Sequence, residues 1–246
     1  MTAMFRIEID SLTKSFAEQS GGVIPLHDLT LQFPAGAVSA VIGRSGCGKT
    51  TLLRQIAGID APDRGSIRFV DESGRGARPK LSVVFQEPRL FAWMNVRRNV
   101  EIAVRHAPEP ERSKAVDAAL ELVGLAGRDR AYPDELSGGM AQRVGLARAL
   151  VGEPDILLMD EAFGALDAIT RQKLYREFVA ILEKRPMTVV LVTHDVTEAV
   201  MLSERVLRLA EGGVRNRWDI DLPYPRNLAM PQVGVLSEKI LSEFFA

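Results

Sequence analysis

Gly43-Arg44-Ser45-Gly46-Cys47-Gly48-Lys49-Thr50 is a glycine, four residues, then Gly-Lys-Thr, and it is the most informative stretch of this 246-residue chain. An apolar run, Ala37 to Ile42, precedes it. A helical-looking segment beginning at Thr51 follows, with Leu52, Leu53, Ile56 and Ala57 on one face. Strand, glycine-rich turn and helix in that order build an anion site. The glycines at 43, 46 and 48 let the backbone curl so that successive N–H groups point into one concavity, and the helix adds its positive end. In such a loop Lys49 bridges the outer phosphates and the Thr50 hydroxyl ligates Mg2+. Cys47 is read as a small filler whose backbone N–H matters more than its thiol.

The chain carries 31 Lys and Arg against 32 Asp and Glu, for a net charge of -1. No basic run or excess is available to neutralise a phosphate backbone, which argues against a nucleic-acid-binding protein. The longest apolar runs, such as Thr188 to Val192 and Ile156 to Met159, are far too short to cross a bilayer. Met1 to Asp10 lacks the basic-then-apolar layout of a signal peptide, so the expected location is the cytosol. One cysteine rules out an internal disulfide and a cysteine-based metal cluster. The length suffices for a real core, in one large domain or two small ones.

Phe5, Ile7 and Ile9 alternate with charged residues and read as an edge strand with one exposed face. Leu29, Leu31 and Phe33 repeat the pattern before Pro34-Ala35-Gly36 turns the chain into the buried strand. Phe16 lies between them, close to a flexible Gly21-Gly22, and its position alone suggests core packing. Asp60 to Gly65 reads as a turn, Ser66 to Val70 as a strand and Asp71 to Lys80 as a solvent-facing hairpin tip. Leu81 to Phe85 is a short strand ending at Gln86. A glutamine there is ordinarily just solvated, but at the carboxyl end of a strand beside a nucleotide it can reach the metal or the attacking water. Pro88 to His106 has few strand or helix signals and gathers Phe91, Trp93 and Met94, which suit either core or a surface held for a partner. Glu111 to Leu125 is amphipathic at helical spacing, so this section reads as a helical insertion into an α/β domain.

Leu136-Ser137-Gly138-Gly139-Met140 precedes a helix-favouring stretch from Ala141 to Val151. Ser137 is a good N-cap, but glycines in a first turn cost about 1 kcal/mol each against alanine. That cost makes sense where another molecule's phosphate must approach bare N–H groups. Ile156 to Met159 is an apolar strand ending in Asp160-Glu161. Adjacent carboxylates there suit two jobs, Asp160 holding Mg2+ through water and Glu161 polarising the water that attacks a γ-phosphate. Phe163 to Asp167 leads into a helix with Leu174, Phe178, Ile181 and Leu182 on its buried stripe. Thr188 to Val192 then ends at Thr193-His194-Asp195, which gives His194 a strand-end position that His27 and His106 lack. Val206 to Val214 suggests a closing hairpin, Leu222 to Arg226 an extended linker and Val235 to Phe244 a terminal helix.

Five separated elements now stand in one order: the loop at 43 to 50, Gln86, Leu136-Ser137-Gly138-Gly139, the Asp160-Glu161 strand end, and His194. Together they closely resemble the ATP-binding cassette (ABC) family, specifically the detached ATPase subunit of an ABC transporter, over the chain up to about Val214. The resemblance implies an α/β fold. Its parts are a P-loop NTPase core with a mainly parallel sheet, an N-terminal antiparallel β subdomain and a helical signature subdomain at about 88–150. The nucleotide-binding domain would span 1–214, with a short C-terminal extension at 215–246. ATP and Mg2+ are the implied cofactors, with Gly43, Arg44, Ser45, Gly46, Cys47, Gly48, Lys49, Thr50 and Thr51 around the phosphates and Thr50, Gln86 and Asp160 at the metal. Glu161 matches the general base, His194 the switch residue on the γ-phosphate, and Gln86 the link between metal and membrane partner. Phe16 matches the aromatic that stacks on adenine, and Asp167 the residue that crosses the dimer interface.

In that family two subunits dimerise head to tail, so Ser137, Gly138 and Gly139 would serve the partner's ATP. The segment around Trp93 matches the groove that receives a permease coupling helix. Met140 stands where glutamine is more frequent and Ala162 where proline is common; neither position supplies chemistry directly. Leu136 to Met140, Gln142-Arg143, Phe163 to Asp167 and Leu222 to Arg226 look most like the nitrate, sulfonate and taurine importer branch. The implied function is ATP hydrolysis driving uptake of a small anion through a separate permease. A homodimer on the cytoplasmic face of the membrane would do this, with a solute-binding protein as indirect partner and no nucleic acid. The alternative is a soluble ABC ATPase acting on a protein or nucleic-acid assembly, whose usual paired cassettes, coiled-coil insertions and basic patches are missing from the sequence.

Overall fold

The computed structural model describes residues 4–16, 23–164 and 166–245. Met1 to Ala3, the Gly21-Gly22 pair and Ala165 of the Phe163 to Asp167 stretch lie outside them. Two sheets organise the chain. β1 (Arg6–Phe16), β2 (Val23–Phe33) and β4 (Arg64–Val70) form an antiparallel sheet in the order β2-β1-β4. β1 is therefore central and not an edge strand: alternation reports which face is buried, not how many neighbours pair with it. β3 (Val38–Ile42), β5 (Leu81–Val84), β6 (Ile156–Asp160), β7 (Thr188–Thr193), β8 (Arg205–Ala210) and β9 (Gly213–Asp219) form the second sheet, ordered β5-β6-β7-β3-β8-β9.

Every pairing in this larger sheet is parallel except β8 with β9. β3 and β7 are buried at every position, as strands covered on both faces must be, and hence read as continuous apolar runs. Period-two alternation divides their side chains between two cores. Ala40, Leu157, Met159, Val189 and Leu191 face one core, which the helices close. Val41, Leu158, Val190 and Val192 face the other, closed by Leu52, Leu53 and Ile56 of α1 (Lys49–Ile56) and by Ile7, Leu29 and Phe33 of the antiparallel sheet. At about 1.5–3 kcal/mol per fully buried aliphatic side chain, a one-residue slip of any central strand is strongly disfavoured.

That register sets the functional edge. Ile42 pairs with Thr193, Asp160 with Val192 and Val84 with Met159. The chain segments leaving β3, β5, β6 and β7 therefore emerge side by side at the carboxyl ends of parallel strands.

α2 (Val96–Glu101) and α3 (Glu111–Leu122) pack on α4 (Gly138–Leu150), forming the helical section inserted between β5 and β6. α5 (Ala168–Lys184), α6 (Val196–Leu202) and α7 (Pro231–Phe245) complete the fold. Several expectations need correction. α1 begins at Lys49, not Thr51, and Ala57 is its half-exposed C-cap. The stretch 88–106 contains α2 and a 3-10 turn at 102–104. α2 is too short to display a periodicity, but Asn95 caps it by accepting from Arg98 N at 2.9 Å. Residues 71–80 do turn back at an exposed tip, where Asp71 N donates to Arg75 O at 3.0 Å and Val70 bridges Gly76 antiparallel, but β4 and β5 themselves lie in different sheets.

Leu222 to Arg226 is no extended linker either. Arg226 is 3% exposed, and its guanidinium donates to the carbonyls of Val200, Ser203, Ile220 and Leu222. The ring of Tyr224 lies 4.2 Å beneath it, and the Tyr224 hydroxyl donates to Leu202 O at 2.8 Å. A cation at the C-terminus of α6 satisfies carbonyls that the helix itself leaves open. β9 runs through residue 214, and Trp218, Ile220, Val233 and Ile240 belong to the helix-side core.

Candidate functional site

Gly48 has a φ of 101°, and a Cβ there would stand 2.4 Å from Pro25 O, so only glycine lets the loop pass under β2. Gly43 serves a different need: its Cβ would meet Cys47 Sγ and Leu209 O, each at 2.5 Å. Lys49 is 6% exposed, and its ammonium donates to Gly43 O at 2.9 Å and Arg44 O at 3.0 Å. The side chain thus lies folded along the inside of the loop, with its charge held by two carbonyls. The backbone N–H of Cys47 donates to Arg44 O at 3.2 Å within the loop, and its thiol packs against Gly43.

Glu161 adopts φ 46°, a left-handed conformation that is strained for a residue with a side chain. It is pinned by its N–H donating to Val192 O on β7 at 2.8 Å and by its carbonyl accepting from Gly164 N at 3.1 Å. The turn carries its carboxylate back over the sheet edge, where Oε2 accepts from Gln86 Nε2 at 3.1 Å and lies 3.2 Å from His194 Nδ1. The neighbouring Asp160 accepts from the Thr50 hydroxyl at 3.2 Å. Burial raises the Asp160 carboxyl above its ordinary range, opposed by that hydrogen bond and reinforced by the Glu161 charge.

A cleft of about 460 Å³ is lined by Ser45, Gly46, Gly48, Lys49, Thr50, Thr51, Gln86, Glu161 and His194. Sequence-distant residues from four strand ends are thereby brought together. Phe16 is not part of this lining; it sits at the end of β1 with its ring 44% exposed and Lys14 Nζ 5.6 Å from its centroid. It packs into no core, contrary to the reading from its position alone.

Ser137, Gly138 and Gly139 line a second cleft of about 430 Å³, together with Met140, Arg143, Leu166, Asp167, Ile169, Thr170 and Lys173. The two linings share no residue. Ser137 caps α4 by accepting from Met140 N at 3.3 Å. Gly138 has open space where a Cβ would stand, so nothing in its own chain requires glycine there. Met140 is half-buried and Ala162 is 2% exposed.

Ile169, Thr170 and Lys173 were not foreseen in this second cleft. The available signal was Ile169 itself, an apolar residue off the buried stripe of α5, which the structure leaves 85% exposed. No local signal marks Arg171 either, which joins Leu166 O to Asp195.

Among the described residues no group of three or more His, Cys, Asp or Glu side chains is placed to hold a metal. The hydroxyl of Thr50, the carboxylate of Asp160 and the amide of Gln86 nevertheless form a hard, oxygen-rich donor set. Such a set suits Mg2+, which keeps waters and takes substrate phosphates as its remaining ligands.

A strand–phosphate loop–helix, a carboxylate pair at the end of a parallel strand one removed from it and a capped Ser-Gly-Gly helix start define a nucleotide-hydrolysing cassette. Residues 26–164 match the family described as ABC transporter, and the chain belongs to that family; it is an ATP-binding cassette ATPase. It is 44% identical over 236 residues to the aliphatic sulfonates import ATP-binding protein SsuB 2 of Streptomyces avermitilis, covering 96% of this chain and 89% of that protein. It is 40% identical over 240 residues to the corresponding SsuB of Bacillus subtilis, covering 97% and 94%. Among solved structures, the cassette MJ0796, in a dimeric post-hydrolysis state bound to ADP and Pi, superposes with a TM-score of 0.78. That match has 28% identity and covers 88% of this chain and 100% of the other.

Proposed function

We propose that this chain is the ATPase subunit of an importer for small anions, alkanesulfonates foremost, acting as a homodimer beneath a separate membrane permease. The observation that carries the reading is the division of the nucleotide machinery into two clefts with no residue in common. One cleft holds the phosphate loop and the acid–base residues, the other the glycine-rich start of α4. Head-to-tail pairing of two chains brings them together, so that each ATP lies between one subunit's Lys49 and the partner subunit's Ser137 and Gly138.

Lys49 exchanges the two loop carbonyls for phosphate oxygens, and the loop N–H groups take the remaining charge. Glu161 accepts the proton of the attacking water as general base. Gln86 and His194 orient its carboxylate through Oε2, and His194 faces the γ-phosphate. Thr50, Asp160 and Gln86 would hold Mg2+, which when bound neutralises charge on the phosphate oxygens. Phe16, exposed at the strand end, offers its ring face to adenine.

Closure of the dimer is passed to the permease through the segment that follows Gln86. Trp93 is 71% exposed and packs at 5.3 Å on Phe91, while Asn99 holds that segment by accepting from Phe91 N at 2.8 Å. No helix among the described residues is long and apolar enough to cross a membrane, which suits a subunit that docks on one. A periplasmic-type solute-binding protein delivers the anion from the other side.

The test is reconstitution with the permease in vesicles and ATP-driven uptake of an alkanesulfonate. Uptake that exceeds that of nitrate and disappears in Trp93→Ala, with basal hydrolysis retained, supports the proposal. Recovery of no membrane protein with the tagged chain, together with normal uptake by cells lacking it, counts against it.

A further inference from the structure

Arg171 on α5 makes two contacts that reach the separate clefts. Its Nη2 donates to Leu166 O at 2.8 Å, and its Nη1 donates to Asp195 Oδ2 at 3.4 Å. Leu166 adjoins Asp167 in the wall of the Ser137 cleft, whereas Asp195 adjoins His194 in the wall of the phosphate-loop cleft. Asp195 is itself firmly set: Oδ1 caps α6 by accepting from Glu198 N at 3.1 Å, and its N–H donates to Thr193 Oγ1 at 3.0 Å. The Thr193 hydroxyl in turn donates to the buried Glu198 carboxylate at 2.6 Å. Arg171 is thus bonded to two loops that are each anchored at a helix start, since Asp167 caps α5 by accepting from Ile169 and Thr170 N.

A half-exposed ion pair adds little to stability, so the residue is poorly explained as a structural staple. A planar fork that spans one backbone carbonyl and one carboxylate does fix the relative position of the groups it joins. We propose that Arg171 is a positioning residue for hydrolysis, fastening the His194 loop to the Leu166-Asp167 loop so that closure at one half-site is transmitted to the other within a subunit. The inference rests on the proposed roles of His194 and of the Ser137 cleft.

The test compares Arg171→Met, Arg171→Lys, His194→Ala and the Arg171→Met/His194→Ala double variant of the full chain by steady-state ATP hydrolysis. Arg171→Met is expected to lower kcat by about tenfold or more while KM for ATP changes by less than about threefold, because misplacement of a catalytic group costs rate rather than binding. Arg171→Lys should recover part of the loss, and the double variant should be no slower than His194→Ala alone. Wild-type turnover by Arg171→Met alongside an impaired His194→Ala overturns the role of Arg171 and leaves the site reading intact. Wild-type turnover by His194→Ala overturns both. Additive losses, or loss of ATP affinity in Arg171→Met, also overturn the proposal. Should Arg171→Met fail to fold, Asp195→Asn carries the same comparison, since asparagine keeps the α6 cap but removes the charge facing Arg171.

Discussion

Oε2 of Glu161 lies 3.2 Å from Nδ1 of His194, joining the ends of β6 and β7, which run parallel and adjacent. Glu161→Gln preserves size and the reach of Gln86 but cannot take a proton. Turnover should fall at least about 100-fold while ATP affinity holds, and the ATP-bound dimer should accumulate on size-exclusion chromatography. Phosphate release at the wild-type rate by this variant would remove Glu161 from the mechanism.

Gly138 separates folding from function. With open space around its Cβ direction, Gly138→Ala should leave the isolated subunit as stable or more stable by up to about 1 kcal/mol, read from the urea midpoint. Hydrolysis should nevertheless drop if the proposed head-to-tail pairing holds, because the added methyl would then stand where the partner's γ-phosphate approaches. Unchanged turnover would mean that phosphate does not come near this N–H.

Arg226 is buried among four carbonyl acceptors at the end of α6. Burial pulls its guanidinium below the ordinary arginine range, opposed by Tyr224 and the Glu204 charge, while the four carbonyls take its hydrogen bonds. Arg226→Met should cost about 2–4 kcal/mol by orphaning them, and Arg226→Lys should recover little of it, since an ammonium cannot reach all four. A urea midpoint shift equivalent to under about 0.5 kcal/mol for both variants would contradict this.

Glu198 is pushed up to about 7, chiefly by burial and secondarily by the nearby Asp195 and Glu161 charges, against the Thr193 hydrogen bond and Arg171. Its folded-state value exceeds the unfolded one, so the native state binds the extra proton. This contribution to stability is complete below about pH 4.5 and is lost as pH rises to about 7, a change of order 3 kcal/mol. Glu198→Gln should remove that slope and make the protein relatively more stable at pH 8 than the parent. Parallel stability–pH curves from chemical denaturation would refute the assignment.

The phosphate loop was legible because glycine backbone freedom, the Lys49 charge and the strand–helix context all act within a dozen residues. Glu161 and His194 were legible as strand-end residues because β6 and β7 are unbroken apolar runs that stop abruptly. α2 escaped notice because six residues display no period; Asn95 and Asn99, which cap it and hold the preceding loop, look like ordinary polar residues. Leu222 to Arg226 packs down where its sequence suggests a linker, because prolines mark an extended chain but not what it packs on.

Local geometry was therefore written in the residues: which glycines let a loop curl, which carboxylates end a buried strand, which serine caps a helix. Tertiary structure alone decided that β3 lies between β7 and β8, that Gln86 and His194 converge on one oxygen of Glu161, and that Ser137 faces a different cleft from Lys49. The division has a physical cause. Turn, cap and loop conformations are set by nearest-neighbour sterics and hydrogen bonds, whereas strand order and register follow from burying two apolar faces contributed by segments more than a hundred residues apart.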